Sequence, residues 1–488
     1  MSRRALVTGA TGYIGGRLIP RLLADGFVVR AMSRDISRLR DVPWAGKVEF
    51  AQADALDGAS LEAALANVDV AYYLVHSIGS GPEFEHTDRV AAKAFADAAR
   101  SAGVQRIVYL GGLMPRDQAL SPHLRSRSEV ASILIESGVP TAALQAAVII
   151  GSGSASFEML RYLTERLPAM ITPKWVDNRI QPIAIRDVLP YLVGAASLPA
   201  EVSRRFDIGG PDVLTYAEMM QRYAHVAGLR RRLLVRVPVL TPKLSSLWVN
   251  LVTPVPGAIA RPIIQSLINE TVCDEQDILG FIPDPPEGRL GFDEAVRLAL
   301  QRIGESTVET RWSSARWPGA PSDPLPTDPA WAGGSLYEDV RRQPVAASEA
   351  SLWRVIEGIG GENGWYSFPL AWAARGWIDR LAGGVGLRRG RRDQHRLYVG
   401  EALDFWRVEE ILPGALLRLR AEMKVPGEAW LELGVESVNG VTFYTQRATF
   451  HPHGLAGQLY WWSVAPFHGV VFGGMVRNIA REAERGSN

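Results

Sequence analysis

Short apolar runs alternate with helical patterns along the first 150 residues of the chain. The apolar runs predict strands over 5–9, 27–32, 47–52, 68–75, 106–110 and 141–150. The helical patterns predict helices over 13–24, 58–66, 86–102 and 126–137. Strands that alternate with helices indicate a parallel, doubly wound α/β sheet, which binds its ligand at the carboxyl ends of the strands.

The pattern changes beyond residue 340. Apolar and charged side chains alternate from Leu417 to Val425, which is typical of a half-buried antiparallel strand. The pair Asn439-Gly440 predicts a tight hairpin. The other patterns in this part are strands at 429–436 and 441–450 and helices at 348–358 and 467–485. An α+β domain with an antiparallel sheet is therefore predicted for residues 341–488.

Composition narrows the classes of protein to consider. A length of 488 residues indicates several domains, and a net charge of +1 gives no overall field that would attract nucleic acid. The single cysteine, Cys273, excludes an intramolecular disulfide framework, so a cytoplasmic protein is expected. No His, Asp or Glu spacing typical of a metal site is evident. The sequence leaves the oligomeric state undetermined.

Two uncharged stretches, 244–260 and 459–476, raise the question of a membrane. Proline, glycine and polar residues interrupt both, so a spanning helix is disfavoured and peripheral membrane contact stays open. A proline- and glycine-rich tract at 317–334 is typical of a linker.

The first strand runs into a glycine-rich junction, T-G-A-T-G-Y-I-G-G, that opens a helix. Glycines allow backbone N–H groups to approach a pyrophosphate at the helix N-terminus. The strand–loop–helix context makes this a nucleotide-binding motif. Its candidate cofactor-binding residues are Gly9, Thr11, Gly12, Tyr13, Ile14 and Gly15.

The residues after the later strands supply further cofactor candidates. An NAD-preferring site places an acidic residue after the second strand, whereas this chain has Ser33 and Arg34, which suit a 2′-phosphate. NADP(H) is therefore predicted over NAD(H), unless Arg34 is an ordinary surface arginine. Asp54 and Ala55 would lie near the adenine, or Asp54 would only cap a turn. His76 follows the fourth strand and is included as a cofactor-binding candidate.

These motifs, with G-G-L at 111–113 and I-Q-P-I-A-I-R-D-V-L at 180–189, resemble an atypical or extended short-chain dehydrogenase/reductase of the NmrA-like branch. The resemblance covers roughly residues 1–300. It implies a Rossmann domain at 1–225 and a small substrate-binding lobe at 226–304, with a linker at 305–340. It also implies an NADP(H)-dependent oxidoreductase, here with an apolar small-molecule substrate.

The catalytic residues of that superfamily are replaced here. Active members carry Ser or Thr after the fifth strand and a Tyr-x-x-x-Lys pair in the next helix. This chain has Gly111 and Gly112 after the strand, and His123 and Arg127 where the pair would lie. His123 is then either a proton donor, a binding residue beside Arg127, or part of an ordinary helix start capped by Ser121.

The sequence leaves the role of Glu158 and the function of the C-terminal part open. Glu158 either acts as a general acid or base, if it is buried, or simply pairs with Arg161, one helical step away. The C-terminal pattern resembles the helix-grip architecture of the START/polyketide-cyclase superfamily, which implies an apolar pocket. Eight of the fourteen tryptophans lie in this part: Trp353, Trp365, Trp372, Trp377, Trp406, Trp430, Trp461 and Trp462. Two alternatives to an enzyme follow: a non-catalytic NAD(P)-binding sensor or scaffold, and a lipid or polyketide carrier.

Overall fold

The computed structural model describes residues 2–76, 83–115, 119–237, 252–306, 325, 327–329, 332–360, 364–366, 396–423 and 425–485. The chain forms two compact units, residues 1–334 and 335–488. Trp372, Trp377, Lys424 in the predicted strand, and residues 317–324 of the predicted linker lie outside the described residues, as does 244–251 of the first uncharged stretch. Among the described residues, no helix is both long and apolar enough to cross a membrane.

The first unit is built on a parallel sheet of seven strands in the described residues. They are β1 (Arg4–Val7), β2 (Val28–Ser33), β3 (Glu49–Gln52), β4 (Val70–Tyr73), β5 (Arg106–Gly112), β6 (Thr141–Ala146) and β11 (Arg204–Ile208). Their order is β11-β6-β5-β4-β1-β2-β3. Every residue of β4, β5 and β6 is buried, because helices cover both faces of a parallel sheet.

Six helices of the first unit follow these strands in the described chain: α1 (Tyr13–Ala24), α2 (Gly58–Leu65), α3 (Phe84–Ser101), α4 (Pro122–Ile135), α5 (Ala155–Arg166) and α6 (Ile185–Ala195). α1 and α6 pack in the core on one face of the sheet. α2, α3 and α4 pack in the core on the other. The prediction of a doubly wound α/β fold is confirmed.

A second core completes the first unit. Its elements, besides α5, are β7 (Ile149–Ile150), β8 (Ala169–Pro173), β9 (Arg179–Ile180), β10 (Ile183–Ala184), β12 (Leu214–Thr215), β13 (Leu233–Val237), α7 (Tyr216–Val226), α8 (Gly257–Ser266) and α9 (Phe292–Ser306). This lobe therefore draws on residues before 226 as well as after it. The predicted strand at 141–150 breaks after Ala146, because Ile149 and Ile150 pair with β10 instead of the main sheet.

The second unit has six antiparallel strands in the described residues, in the order β14-β19-β18-β17-β16-β15. Its elements are β14 (Tyr337–Val345), α10 (Glu349–Glu357), β15 (Ala402–Leu403), β16 (Trp406–Leu412), β17 (Leu416–Ala421), β18 (Gly427–Val438), β19 (Val441–Pro452) and α11 (Gly454–Arg485). The core lies between the sheet and the two helices. The antiparallel sheet is confirmed, and the helix-grip architecture stays a prediction.

Two helices begin earlier than their patterns predict. α4 begins at Pro122, because the Ser121 hydroxyl accepts a hydrogen bond from the Leu124 N–H and caps the helix. α11 begins at Gly454 rather than Phe467 and continues through Pro466. Its first turns pack by aromatic contacts that no sequence periodicity marks: the Trp461 ring stacks 4.7 Å from Tyr337.

Candidate functional site

The glycine-rich loop between β1 and α1 leaves no room for side chains at two positions. Gly9 has φ +65°, and a Cβ there would lie 2.8 Å from the carbonyl oxygen of Leu74. A Cβ on Gly15 would lie 2.3 Å from the carbonyl oxygen of Gly9. Gly12 is the N-cap residue of α1 and has no side chain to cap the helix, so the first N–H groups of α1 need another acceptor. Residues 9–15 thus form a glycine-rich loop, the glycine cradle, which fits a pyrophosphate.

The other candidates of the loop support its shape. Ile14 packs against the core beneath the sheet. The Tyr13 ring lies 4.2 Å from the Arg17 guanidinium, and its buried hydroxyl has no hydrogen-bond partner among the described residues. Thr11 is half-buried at the turn.

In the turn after β2 the side chain of Arg34 is exposed, whereas the carboxylate of Asp35 forms hydrogen bonds within the turn. Arg34 is exposed, and its guanidinium has no partner among the described residues; only its carbonyl oxygen accepts a bond, from Gln52. Asp35, which the sequence reasoning did not weigh, accepts hydrogen bonds from the Ser37 N–H at 3.0 Å and the Ser37 hydroxyl at 2.6 Å. These bonds lower the pKa of Asp35. The Ser33 hydroxyl donates to the Asp35 carbonyl.

After β3, Asp54 has a local structural contact. Its carboxylate accepts a hydrogen bond from the Leu56 N–H at 3.0 Å, which closes a turn before α2. Ala55 is buried beside it. The turn-capping interpretation of Asp54 is therefore observed, and its other oxygen is not involved in this bond.

Two sequence candidates, His76 and His123, contact each other directly. Their Nε2 atoms lie 2.9 Å apart, and their ring planes differ by 28°. The Nδ1 atom of His123 lies 2.6 Å from the Ser266 hydroxyl at the end of α8. Both ring nitrogens of His123 thus lie within hydrogen-bond distance of protein groups, and the ring is 9% exposed.

The other side of His76 contacts a buried carboxylate. Its Nδ1 lies 3.0 Å from Asp88 Oδ2, which also accepts a hydrogen bond of 2.9 Å from the Ser126 hydroxyl. The pKa of His76 is lowered to about 4, mainly by burial and also by Arg127, while the hydrogen bond and charge of Asp88 oppose this shift. Burial, then His76 and Arg127, lower the pKa of His123 well below its usual range.

Arg127 lies at the carboxyl end of β5 without a carboxylate partner among the described residues. Its aliphatic part passes 3.7 Å from the position that a Cβ on Gly112 would take, while its carbonyl oxygen accepts a bond from the Tyr109 hydroxyl. Cβ atoms at Gly111 and Gly112 would come within 2.9 Å of the Tyr109 ring and the Leu124 side chain. The serine of the superfamily therefore does not fit here without movement. Arg127 can bind an anionic group but cannot carry a proton away.

Glu158 lies in a buried ion pair. Its Oε2 is 3.7 Å from Arg161, and both side chains are 0% exposed. Its Oε1 accepts bonds from the N–H groups of Gly153 and Gly333. Burial is the main cause that raises the pKa of Glu158. The pairing with Arg161 that the sequence left open is observed, and the bond to Gly333 attaches the chain's proline-rich segment to α5.

Sequence reasoning missed Asp88, Ser126 and Ser266 in the histidine cluster. Asp88 lies 12 residues from His76, and Ser266 lies 143 residues from His123. Only the packing of α3, α4 and α8 brings them together. No local signal marks Ser266, whereas Asp88 could have been suspected as an acidic residue on the helix after His76.

A cavity of about 520 Å³ lies within the second unit, lined by residues of β16, β18, β19 and α11. Its aromatic lining includes Trp406, Trp430, Phe450, Trp461, Phe467 and Phe472. His468 also lines the cavity, and its Nδ1 lies 3.8 Å from Asp339 Oδ2. The lining is therefore mainly apolar and aromatic.

Two family models match the chain, one in each unit. Residues 9–153 match a family described as NAD(P)H-binding. Residues 331–475 match a family described as protein of unknown function (DUF2867).

Characterised proteins resemble the first unit at low identity. A ceramide reductase of Caulobacter vibrioides is 26% identical over 239 residues, 48% of this chain and 73% of that protein. A UDP-glucose 4-epimerase of Mycolicibacterium smegmatis is 38% identical over 119 residues, 22% of this chain; the match spans 37% of the epimerase. The crystal structure of a Citrobacter triphenylmethane reductase with NADP(H) is 22% identical, covering 61% of this chain and 99% of its own, at a TM-score of 0.47.

The glycine cradle, the seven-stranded parallel sheet and the match over residues 9–153 agree. The first unit contains an NAD(P)-binding Rossmann domain, and the second carries a domain of unknown function.

Proposed function

We propose that the chain is an NADP(H)-dependent oxidoreductase that acts on an apolar small molecule. The observation that carries the proposal is the pairing of a bare glycine cradle with an exposed arginine at the end of β2. In this role Gly9, Gly12 and Gly15 admit the pyrophosphate, and Ser33 and Arg34 hold the 2′-phosphate. NADP(H), when bound, supplies or accepts a hydride.

The preference for NADP(H) rests on the contrast between Arg34 and Asp35. A carboxylate directed at the ribose would favour NAD(H), but the Oδ1 atom of Asp35 accepts both hydrogen bonds from Ser37 within the turn. An exposed guanidinium without a protein partner among the described residues is suited to a phosphate.

Arg34→Asp tests this preference. We expect the affinity for NADPH to fall by about 10- to 100-fold, because a charge-assisted hydrogen bond contributes roughly 1.5–3 kcal/mol. The affinity for NADH should change little or rise. Fluorescence titration with both nucleotides measures the ratio, and Arg230→Asp, an equally exposed arginine of the lobe, is the control. An unchanged ratio in Arg34→Asp would contradict the assignment.

The name of one relative and the composition of one segment support an apolar substrate. The ceramide reductase acts by name on a lipid. The apolar segment at 244–260, which the sequence assigns to the lobe, is described only from residue 252 onward.

A screen of carbonyl, enone and imine compounds with NADPH tests the activity. Stoichiometric NADPH binding without turnover would instead favour a sensor, which the fully engaged ring nitrogens of His123 also suit.

A carrier role for the second unit is a separate candidate. Its aromatic cavity of about 520 Å³ has the size of a small-ligand site, and its lining suits an apolar ligand. Mass spectrometry of ligands that co-purify with the full-length protein tests it. An empty protein from several expression hosts would count against a carrier.

A further inference from the structure

The buried chain from Asp88 to Ser266 contains three contacts that each need one proton between two heavy atoms. The carboxylate of Asp88 accepts, so His76 carries its proton on Nδ1. A neutral His76 then accepts at Nε2, and His123 donates from its own Nε2. Nδ1 of His123 is left as an acceptor for the Ser266 hydroxyl. With both imidazoles neutral, every contact is a hydrogen bond.

The same chain accommodates one additional proton. If His123 becomes an imidazolium, its Nε2 still donates to His76 and its Nδ1 donates to Ser266. The Ser266 hydroxyl then donates to the carbonyl oxygen of Pro262, 2.9 Å away. Rotation of one hydroxyl between two acceptors accompanies the gain or loss of the proton. No heavy atom has to move, and no polar group in the chain loses its partner.

Ser266 is also the member best placed to meet a ligand. The contacts above use both ring nitrogens of each histidine, whereas a serine oxygen has two lone pairs and a hydrogen. Ser266 is half-buried, in contrast to Asp88 and Ser126, which are 4% and 1% exposed. A cavity of about 240 Å³ is lined by Pro122 and Gln265, which precede His123 and Ser266 in the sequence.

We propose that these residues form a proton relay whose outlet to the substrate is the hydroxyl of Ser266. His123 takes up the additional proton from solvent for the reaction and passes it on, and His76 and Asp88 are positioning residues that fix its tautomer. The proposal rests on the proposed oxidoreductase function and identifies its substrate as a carbonyl compound or the corresponding alcohol. It replaces the missing Tyr-x-x-x-Lys pair with groups from three helices, α3, α4 and α8, and the end of β4.

Carbonyl reduction needs a hydride at carbon, from the cofactor of the proposed function, and a proton at oxygen. The O–H bond of Ser266 breaks as an O–H bond forms on the substrate. The Nδ1–H bond of His123 breaks as Ser266 regains its hydrogen, and the imidazolium becomes neutral. The reverse sequence accepts the proton when an alcohol is oxidised.

The charges around the pair control how readily it holds the proton. The charged groups that act on both rings are Asp88 from α3, which favours the imidazolium, and Arg127 from α4, which opposes it. An anionic group bound to Arg127 would cancel the effect of the guanidinium. Ligand binding at the carboxyl end of β5 therefore increases the proton affinity of the relay.

Nuclear magnetic resonance of the full-length protein with ¹⁵N-labelled histidine tests the relay without any substrate. The chain has eight histidines, and His76→Gln and His123→Gln assign the two signals. At about neutral pH we expect scalar coupling between the two Nε2 atoms. We also expect hydrogens on His76 Nδ1 and His123 Nε2. Signals without this coupling, or with the hydrogens on the other two ring nitrogens, would overturn the proposal.

Kinetics of Ser266 variants test the outlet, with any carbonyl compound found in the turnover screen. We expect Ser266→Ala to lower kcat about 10²- to 10⁴-fold with little change in KM, and Ser266→Thr to restore most of it. The matched control is Thr164→Val, which removes another hydroxyl that donates to the carbonyl four residues earlier but contacts no histidine. Wild-type kcat in Ser266→Ala would reject the outlet.

The two arms separate the relay from the function on which it rests. If no compound is turned over, the oxidoreductase proposal fails, while the coupling and the tautomers still decide whether the proton chain exists. If turnover occurs but the coupling is absent, the function stands and the relay is rejected.

Discussion

The carbonyl oxygen of Gly9 occupies the space where a side chain at position 15 would begin. A Cβ on residue 15 would lie 2.3 Å from that oxygen and 2.9 Å from its carbon, so the backbone itself would have to move. A flexible side chain could yield to such a contact, but a backbone carbonyl in a tight turn cannot. The loop therefore tolerates glycine at this position for a steric reason, independent of any ligand.

Gly15→Ala should displace the loop and weaken nucleotide binding. Overpacking of this kind costs about 1–3 kcal/mol, so we expect the affinity for NADPH to fall about tenfold or more. Fluorescence titration measures the affinity, and circular dichroism checks the fold. Gly46→Ala is the control, because a Cβ there meets nothing within 4 Å. Binding by Gly15→Ala as tight as that of the control would show that the loop adapts.

At the scale of elements, local chemistry decides where strands and helices turn. β18 and β19 pair up to Val438 and Val441, so Asn439 and Gly440 are the two loop residues. Both have positive φ, 53° and 78°, as a type I′ turn requires. The predicted hairpin is therefore present, and its register follows from the turn. The same local control acts at α4, where Ser121 and Pro122 begin the helix that carries His123.

Gly440→Ala should destabilise the second unit. A left-handed conformation costs a residue with a Cβ about 1–2 kcal/mol, and the hairpin joins the two longest strands of the sheet. Urea unfolding followed by tryptophan fluorescence should show a lower midpoint. Gly469→Ala, on α11 with open space around its Cβ, should leave the midpoint unchanged or raise it. Equal midpoints for Gly440→Ala and the wild type would refute this expectation.

At the scale of the whole molecule, the proline- and glycine-rich segment belongs partly to the first unit. Asp328 forms a salt bridge of 2.7 Å with Arg17 of α1, and their side chains are 8% and 2% exposed. Leu325 lies against Gly16, and Gly333 donates to Glu158. Leu325, Asp328 and Gly333 of the predicted linker at 305–340 are thus held against the rest of the first unit. β14 of the second unit begins at Tyr337, within the same predicted range.

Asp328→Ala should destabilise the first unit strongly. The substitution removes the carboxylate that accepts two hydrogen bonds, of 2.9 and 2.7 Å, from the buried Arg17 guanidinium. Breaking a buried ion pair in this way costs about 3–5 kcal/mol. Differential scanning calorimetry should show a lower melting temperature for the first unit. Asp97→Ala removes an exposed pair with Arg100, whose loss costs at most about 1 kcal/mol. Similar melting temperatures for the two variants would mean that the Arg17–Asp328 pair does not hold the segment.

Much of the first unit could be predicted because its signals are local. α1 spans Tyr13–Ala24 as the sequence predicts, and the glycine cradle lies where the strand–loop–helix pattern places it. The roles of single polar residues were harder to predict. Asp54 and Glu158 each had two open interpretations, and only their partners, Leu56 and Arg161, distinguish them.

The alternation of strands and helices, the glycine loop and the Asn439-Gly440 hairpin can all be predicted from the order of residues. These features depend on backbone sterics and periodicity over a few neighbouring residues, which the sequence displays directly. The contact of His76 with His123, and the bond of His123 to Ser266, 143 residues away, arise only when the chain folds. Such contacts depend on how separate helices pack around a shared core, and no local pattern encodes which distant polar atoms will face each other there.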